Sequence, residues 1–245
     1  MTNKDALYYN AELVPLYDIL NSGRQDFDFY LSKLPSPPSD LLDIGCGTGT
    51  FTHELAKLGY KVSALDPSPE MISFARQKPG ADNIKWHVGG IGSAFADQTF
   101  AIALMTGHAF QCLLADSEIL ELFAIVAQRL TAHGKFLFES RNPDARSWER
   151  WRPEYADPPT LLPSGAKLKT SHNVISFEDE IVTFQENYEF DDDRPSRVSE
   201  SQLRFASKQH IIDLANQSGL QPRNIWGNWD GASEGHEMIF ELITI

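Results

Sequence analysis

The stretch Leu41-Leu42-Asp43-Ile44-Gly45-Cys46-Gly47-Thr48-Gly49-Thr50-Phe51 runs an apolar segment into three alternate glycines and then straight into a helical pattern. The apolar part reads as a buried strand. Glycines at 45, 47 and 49 permit a tight turn and let a ligand approach the backbone, and the free N–H groups at the helix start favour an anionic group. Such spacing also fits a dinucleotide site, so the glycines alone do not choose a cofactor.

Outward from this turn the chain alternates short apolar runs with helical patterns, as βαβ units in a parallel sheet do. Strands are expected at 41–44, 61–65, 84–88, 100–105 and 135–139. A helix from Thr50 to Leu58 should stop at Gly59, and Ser68 with Pro69 supplies an N-cap and a first-turn proline for a helix over 69–77. Ile119, Leu122, Phe123, Val126 and Leu130 mark one face of another helix, ended near Gly134. Ahead of the first strand, Tyr9, Leu13, Leu16, Tyr17, Leu20, Phe27, Tyr30 and Leu34 suit two short helices lying on something larger, ended by PSPPS at 35–39.

After Pro143 a Trp- and Pro-rich stretch leads into period-two alternation, with Val182, Phe184, Tyr188 and Phe190 on one strand face and Leu203 and Phe205 on a following strand. Residues 145–205 therefore read as an insertion carrying an antiparallel hairpin or small sheet, with Asp191-Asp192-Asp193 as a solvated turn at its tip. A helix over 207–218 ends at Gly219, and 220–226 and 236–245 read as a final antiparallel pair.

Asp43 makes the turn Asp-x-Gly-x-Gly-x-Gly, and Asp66 ends the next strand, where a carboxylate can accept both hydroxyls of a ribose. Together with LDPSPEMISFAR at 65–76, these motifs resemble the class I S-adenosylmethionine-dependent methyltransferases of small-molecule type, over most of residues 38–142. The resemblance implies an α/β fold: a Rossmann-like, seven-stranded, mainly parallel sheet with helices on both faces, a final antiparallel strand, and a small antiparallel β insertion after strand five. It divides the chain into an N-terminal helical lid (1–37), a cofactor-binding core (38–144), a β-rich acceptor lid (145–205), and a C-terminal helix and strand pair completing the sheet (206–245).

The same resemblance assigns S-adenosylmethionine as cofactor and S-adenosylhomocysteine as product. It sets Asp43, Gly45, Cys46 and Gly47 in the methionine-binding turn, Asp66 on the ribose, and Pro67 and Met71 about the adenine. The third family element reads VGGIGS at 88–93, so Gly90 stands where an acid is usual and the backbone at Gly90 and Ile91 is left to recognise the base. Strand four ends in LMTGHAF, which brings Met105 and His108 to the carboxyl edge of the sheet, where open α/β folds bind ligands. His108 is a candidate general base, and Arg141, after strand five, a candidate for an acidic group of the acceptor. Tyr17 and Tyr30 resemble residues of a segment that covers the cofactor.

A net charge of −13 over 245 residues disfavours a nucleic-acid partner, since such a surface repels phosphates. Strand four also lacks the Asn/Asp-Pro-Pro-Tyr/Phe run associated with methylation of base amines. The two cysteines, Cys46 and Cys112, have no metal or redox spacing, and Cys46 answers the turn's need for a small residue rather than a nucleophile. No metal site is expected. The opening MTNKDALYYN has no basic-then-apolar pattern and no run is long enough to span a bilayer, so a cytoplasmic protein is expected. A small-molecule methyl acceptor is the expected partner, with monomer and homodimer both open. Competing readings are methylation of tRNA or protein, a non-catalytic cofactor-binding member, and an NAD-dependent oxidoreductase.

Overall fold

Among the described residues three helices, not two, precede the first strand: α1 (Ala6–Tyr9), α2 (Val14–Leu20) and α3 (Gln25–Lys33). Asn10 causes the extra break, because its side chain accepts from the Glu12 N–H and its carbonyl from Leu13 and Val14 N–H. α3 carries Asp26 and Asp28 in its first turn and Lys33 in its last, as the helix dipole favours, and stops one residue before Pro35. These coordinates are a computed structural model that describes residues 6–92 and 94–245, so the first five residues of the opening segment and Ser93 lie outside the described residues.

β1 (Asp40–Ile44), β2 (Lys61–Asp66), β3 (Lys85–Val88), β4 (Phe100–Met105) and β5 (Leu130–Arg141) follow, joined by α4 (Thr50–Lys57), α5 (Pro69–Ala75) and α6 (Asp116–Arg129). Strands covered on both faces read as near-continuous apolar runs, and Leu41, Leu42, Ala64, Ile102, Ala103 and Leu104 are accordingly almost wholly buried. The helix expected to reach Gly134 ends instead at Arg129. Leu130 turns extended and β5 begins there, and a side chain at Gly134 would meet the Phe100 carbonyl and Thr131 backbone at 2.9 Å. Glycine is thus needed inside the strand, not as a helix stop.

The insertion forms a second, four-stranded antiparallel sheet, β6 (Thr160–Leu161), β7 (Lys167–Glu178), β8 (Ile181–Phe190) and β9 (Arg197–Arg204), in that spatial order. Val182, Phe184 and Tyr188 are buried on one face of β8, as their alternation requires. Phe184 and Val182 pack with Trp148, Trp151 and Phe205, whereas Tyr188 packs with Leu7, Leu13 and Leu16 of the N-terminal segment. That aromatic face therefore packs inward.

α7 (Lys208–Gln217), β10 (Leu220–Trp226) and β11 (Glu237–Thr244) return the chain to the main sheet, whose order is β10-β11-β5-β4-β1-β2-β3. β11 is antiparallel to both neighbours, and its register sets Glu237 opposite Arg141. Consequently the start of β11 lies at the edge where β4 and β5 end. One face of the sheet is sealed by α6 and α7, the other by α3 and α4. Phe138, fully buried, has rings of Phe110, Phe136 and Phe240 within 4.9 Å of its centroid. Burial of one such side chain contributes about 2–3 kcal/mol.

Candidate active site

Gly45, Gly47 and Gly49 all have positive φ (69°, 54° and 72°), the left-handed region that other residues rarely adopt. The turn is pinned to β2: Gly45 and Cys46 N–H donate to the Leu65 carbonyl at 2.8 and 3.0 Å. Asp66 divides its carboxylate, one oxygen accepting the Gly47 N–H and the other the Ser68 N–H, both at 2.9 Å. Asp43 lies beneath, 1% exposed; Oδ2 accepts from the Thr52 hydroxyl at 2.5 Å while Oδ1 has no partner. Burial pushes the Asp43 carboxyl up to about 6, and raises Asp66 too, against the pull of its two N–H donors. Burial, then the charges of Asp43 and Asp66, lift the Cys46 thiol far above its ordinary range, which makes it a poor nucleophile.

The N-terminal helices are tied across this turn. Asp18 accepts from the hydroxyls of Thr48 and Thr50 (the latter at 2.9 Å) and pairs with Lys78 at 2.6 Å, and the Tyr8 carbonyl accepts from Ser68, the N-cap of α5. Tyr17, from the same segment, places its hydroxyl close to Gly107, such that a side-chain carbon there would lie 3.6 Å from it. Burial pushes this phenol up to about 12, assisted by negative charge from Cys112, Asp66 and Glu139. Tyr17 thus reaches past the end of β4 while its neighbour Asp18 holds the glycine turn.

At the ends of β4, β5 and β11 the chain gathers a polar cluster. His108 has φ 59°, and its backbone N–H donates to Glu139 Oε1 at 2.6 Å. The other Glu139 oxygen accepts the Tyr30 hydroxyl, and the His108 ring meets Glu237 through Nε2 at 2.9 Å. Glu139 is fully buried and its carboxyl is raised by that burial. Arg141 donates to Gln111 Oε1 at 2.8 Å, lies over the Trp151 ring, and has its guanidinium lowered by burial.

Among the residues singled out from sequence, Asp43, Gly45, Cys46, Gly47 and Asp66 meet in one turn, with Met71 buried at the start of α5 and Pro67 exposed beside it. Gly90 is exposed and Ile91 buried, next to Gly89, whose N–H donates to the Asp66 carbonyl at 2.9 Å. Met105 is buried at the end of β4, near Gly45. Tyr30 stands apart from the expected covering role: wholly buried among Phe29, Phe51 and Trp229, it supports Glu139. Sequence reasoning missed Glu237 and Gln111. Glu237 lies 129 positions from His108 and carries no local signal. Among the described residues no cluster of His, Cys, Asp or Glu could hold a metal ion, and no helix is long and apolar enough to cross a membrane.

Residues 41–134 match the methyltransferase domain family. The cypemycin N-terminal methyltransferase of a Streptomyces species is 24% identical over 143 residues, 57% of this chain and 58% of that protein. The malonyl-[acyl-carrier protein] O-methyltransferase of Anoxybacillus flavithermus is 30% identical over 112 residues, 45% of this chain and 42% of that protein. The chain thus matches less than two thirds of the length of either relative. Among solved structures, the CcbJ methyltransferase of Streptomyces caelestis superposes with a TM-score of 0.79 at 15% identity, covering 100% of this chain and 99% of that one. S-adenosylmethionine-bound CalS10, an amino pentose methyltransferase of Micromonospora echinaspora, gives 0.71 at 18% identity, covering 94% and 97%.

Proposed function

We propose that this chain, built on a class I S-adenosylmethionine-dependent methyltransferase fold, transfers a methyl group to a small-molecule acceptor in the cytoplasm. The observation that carries the reading is the glycine turn with two buried carboxylates, Asp43 and Asp66, neither of them in an ion pair among the described residues. S-adenosylmethionine carries an ammonium, a sulfonium and two ribose hydroxyls, which suits that donor set. The pyrophosphate of NAD would instead bring two negative charges toward two carboxylates.

In this reading Gly45, Cys46 and Gly47 cradle the methionine part, Asp66 receives the ribose hydroxyls on its remaining lone pairs, and Pro67, Met71 and the backbone at Gly90 and Ile91 border the adenine. When bound, the cofactor supplies a methyl group on a sulfonium, whose leaving group is already good. The protein's work is therefore alignment and exclusion of water, and alignment of this kind contributes roughly 7–11 kcal/mol. The acceptor enters at the ends of β4 and β5, with the N-terminal helices and the insertion as lids. Small-molecule acceptors are favoured by neighbours such as the sugar N-methyltransferase KedS8, and the charge of −13 opposes RNA. Two cysteines not joined in a disulfide suit a reducing compartment.

Calorimetric titration with S-adenosylmethionine, S-adenosylhomocysteine and NAD tests the reading. Micromolar binding of the two sulfur compounds and none of NAD is expected. The Asp66→Ala variant should lose most of that affinity while remaining folded; equal binding by wild type and variant would remove the ribose role.

A further inference from the structure

We propose that Glu237 is a positioning residue that makes Nδ1 of His108 a proton acceptor, and that Glu237, Glu139 and Asp26 together make the acceptor end of the site a pocket for an ammonium-bearing substrate. This rests on the methyltransferase reading above and narrows its acceptor.

The ring contact fixes the tautomer. Glu237 Oε2 lies 2.9 Å from His108 Nε2, with only 14% and 20% of the two side chains exposed. A carboxylate only accepts, so the neutral ring carries its proton on Nε2 and keeps the lone pair on Nδ1. The backbone from which the ring projects is held independently, since both Glu139 oxygens are taken up by the His108 N–H and the Tyr30 hydroxyl. His108 is therefore fastened at two points by elements distant in sequence, as a base that must hold one orientation requires.

The charges around the ring give the second half. Asp26 of α3 lies within electrostatic reach of His108, as do Glu139 of β5 and Glu237 of β11. Against these three carboxylates stand Arg141, whose guanidinium is engaged with Gln111 and Trp151, and, beside Asp26, Arg24, whose guanidinium is paired with Glu54 and Asp28. Tyr17 and Tyr30, also in the cluster, are phenols held neutral by burial. The cluster thus has surplus negative charge that a cationic ligand neutralises and an alcohol does not. An ammonium has no lone pair. Its proton passes to Nδ1, the freed pair forms the N–C bond to the methyl carbon as the C–S bond breaks with its electrons left on sulfur, and the imidazolium then yields its proton to water.

Long-range 1H–15N NMR of histidine-labelled protein, with His108→Gln to assign the signal, reads the tautomer directly. The neutral His108 ring should carry its proton on Nε2 alone, and Glu237→Gln, whose amide can donate or accept, should give a mixture that Glu237→Asp restores toward one form. A proton on Nδ1, or an unchanged tautomer in Glu237→Gln, overturns the positioning role. With S-adenosylhomocysteine present, glucosamine and glucose are then compared as probes of equal shape. Glucosamine should shift the His108 signals where glucose does not, and less so in Glu237→Gln and Asp26→Asn; an equal response to both, including none to either, overturns the ammonium pocket. Calorimetry with S-adenosylhomocysteine should be unchanged in these variants, and its failure in the wild type would count against the cofactor reading while leaving the tautomer result intact.

Discussion

Asp43 offers a quantitative test, because its carboxylate is buried at the centre of the glycine turn with one oxygen unpartnered. Its pKa rises from the usual 3.8 to about 6, chiefly through burial. A raised folded-state pKa means that the folded protein holds the proton more tightly than the unfolded chain. The resulting stabilisation is complete below about pH 4 and is lost as pH rises to about 6. Two pKa units of difference correspond to about 3 kcal/mol. The Asp43→Asn variant has no such proton, so its stability relative to wild type should climb by most of that amount between pH 4 and pH 7. Glu139 and Asp26 are shifted in the same direction, but they contribute to both proteins and cancel in the difference, as does any constant cost of the new amide; Asp66, whose charge helps raise Asp43, is relieved in the variant and adds to the climb. Urea titrations at four pH values on both proteins measure it. Parallel stability curves across that range would refute the placement of an isolated, buried carboxylate in the turn.

Gly49→Ala should destabilise the fold by about 2–3 kcal/mol in the same assay, since a side chain there faces both φ 72° and the Trp86 ring at 2.7 Å. Asp18→Ala removes the partner of Thr48, Thr50 and Lys78; limited proteolysis should then cut the segment before residue 37 faster, and an unchanged pattern would deny that Asp18 fastens it. Titration with a chromogenic disulfide at pH 8 should find one fast thiol, the exposed Cys112, while Cys46 reacts only on unfolding; two fast equivalents would contradict the raised thiol.

Much of the main sheet is legible from sequence because β1, β2 and β4 are covered on both faces, and burial of that kind leaves an unbroken apolar run. The glycine turn is equally plain, since left-handed backbone at three alternate positions leaves few alternatives to glycine. What the local sequence does not encode is set by tertiary register. Leu130 to Gly134 reads as the end of a helix and lies extended because β4 offers it a partner. Glu237 enters the site only because β11 runs antiparallel beside β5, which sets it across from Arg141. Tyr30 reads in sequence as an aromatic of the covering segment; its contact with Glu139, 109 positions away, shows it as support from below.

The seating of the first three helices bears on how the chain acquires its structure. Leu7 N–H donates to the Ser199 hydroxyl, and Glu12 pairs with Arg197, so α1 and α2 rest on the far strand of the insertion as well as on the glycine turn. During synthesis these helices leave the ribosome well before β9, which follows about 190 residues later. Short and apolar on one side, they have only the glycine-turn half of their docking place in that interval. Loop closure over such a span is slow, so the turn and parallel strands can assemble while the entrance above them is still open. The last event of folding and the closing of the site over a ligand would then be the same movement of the chain.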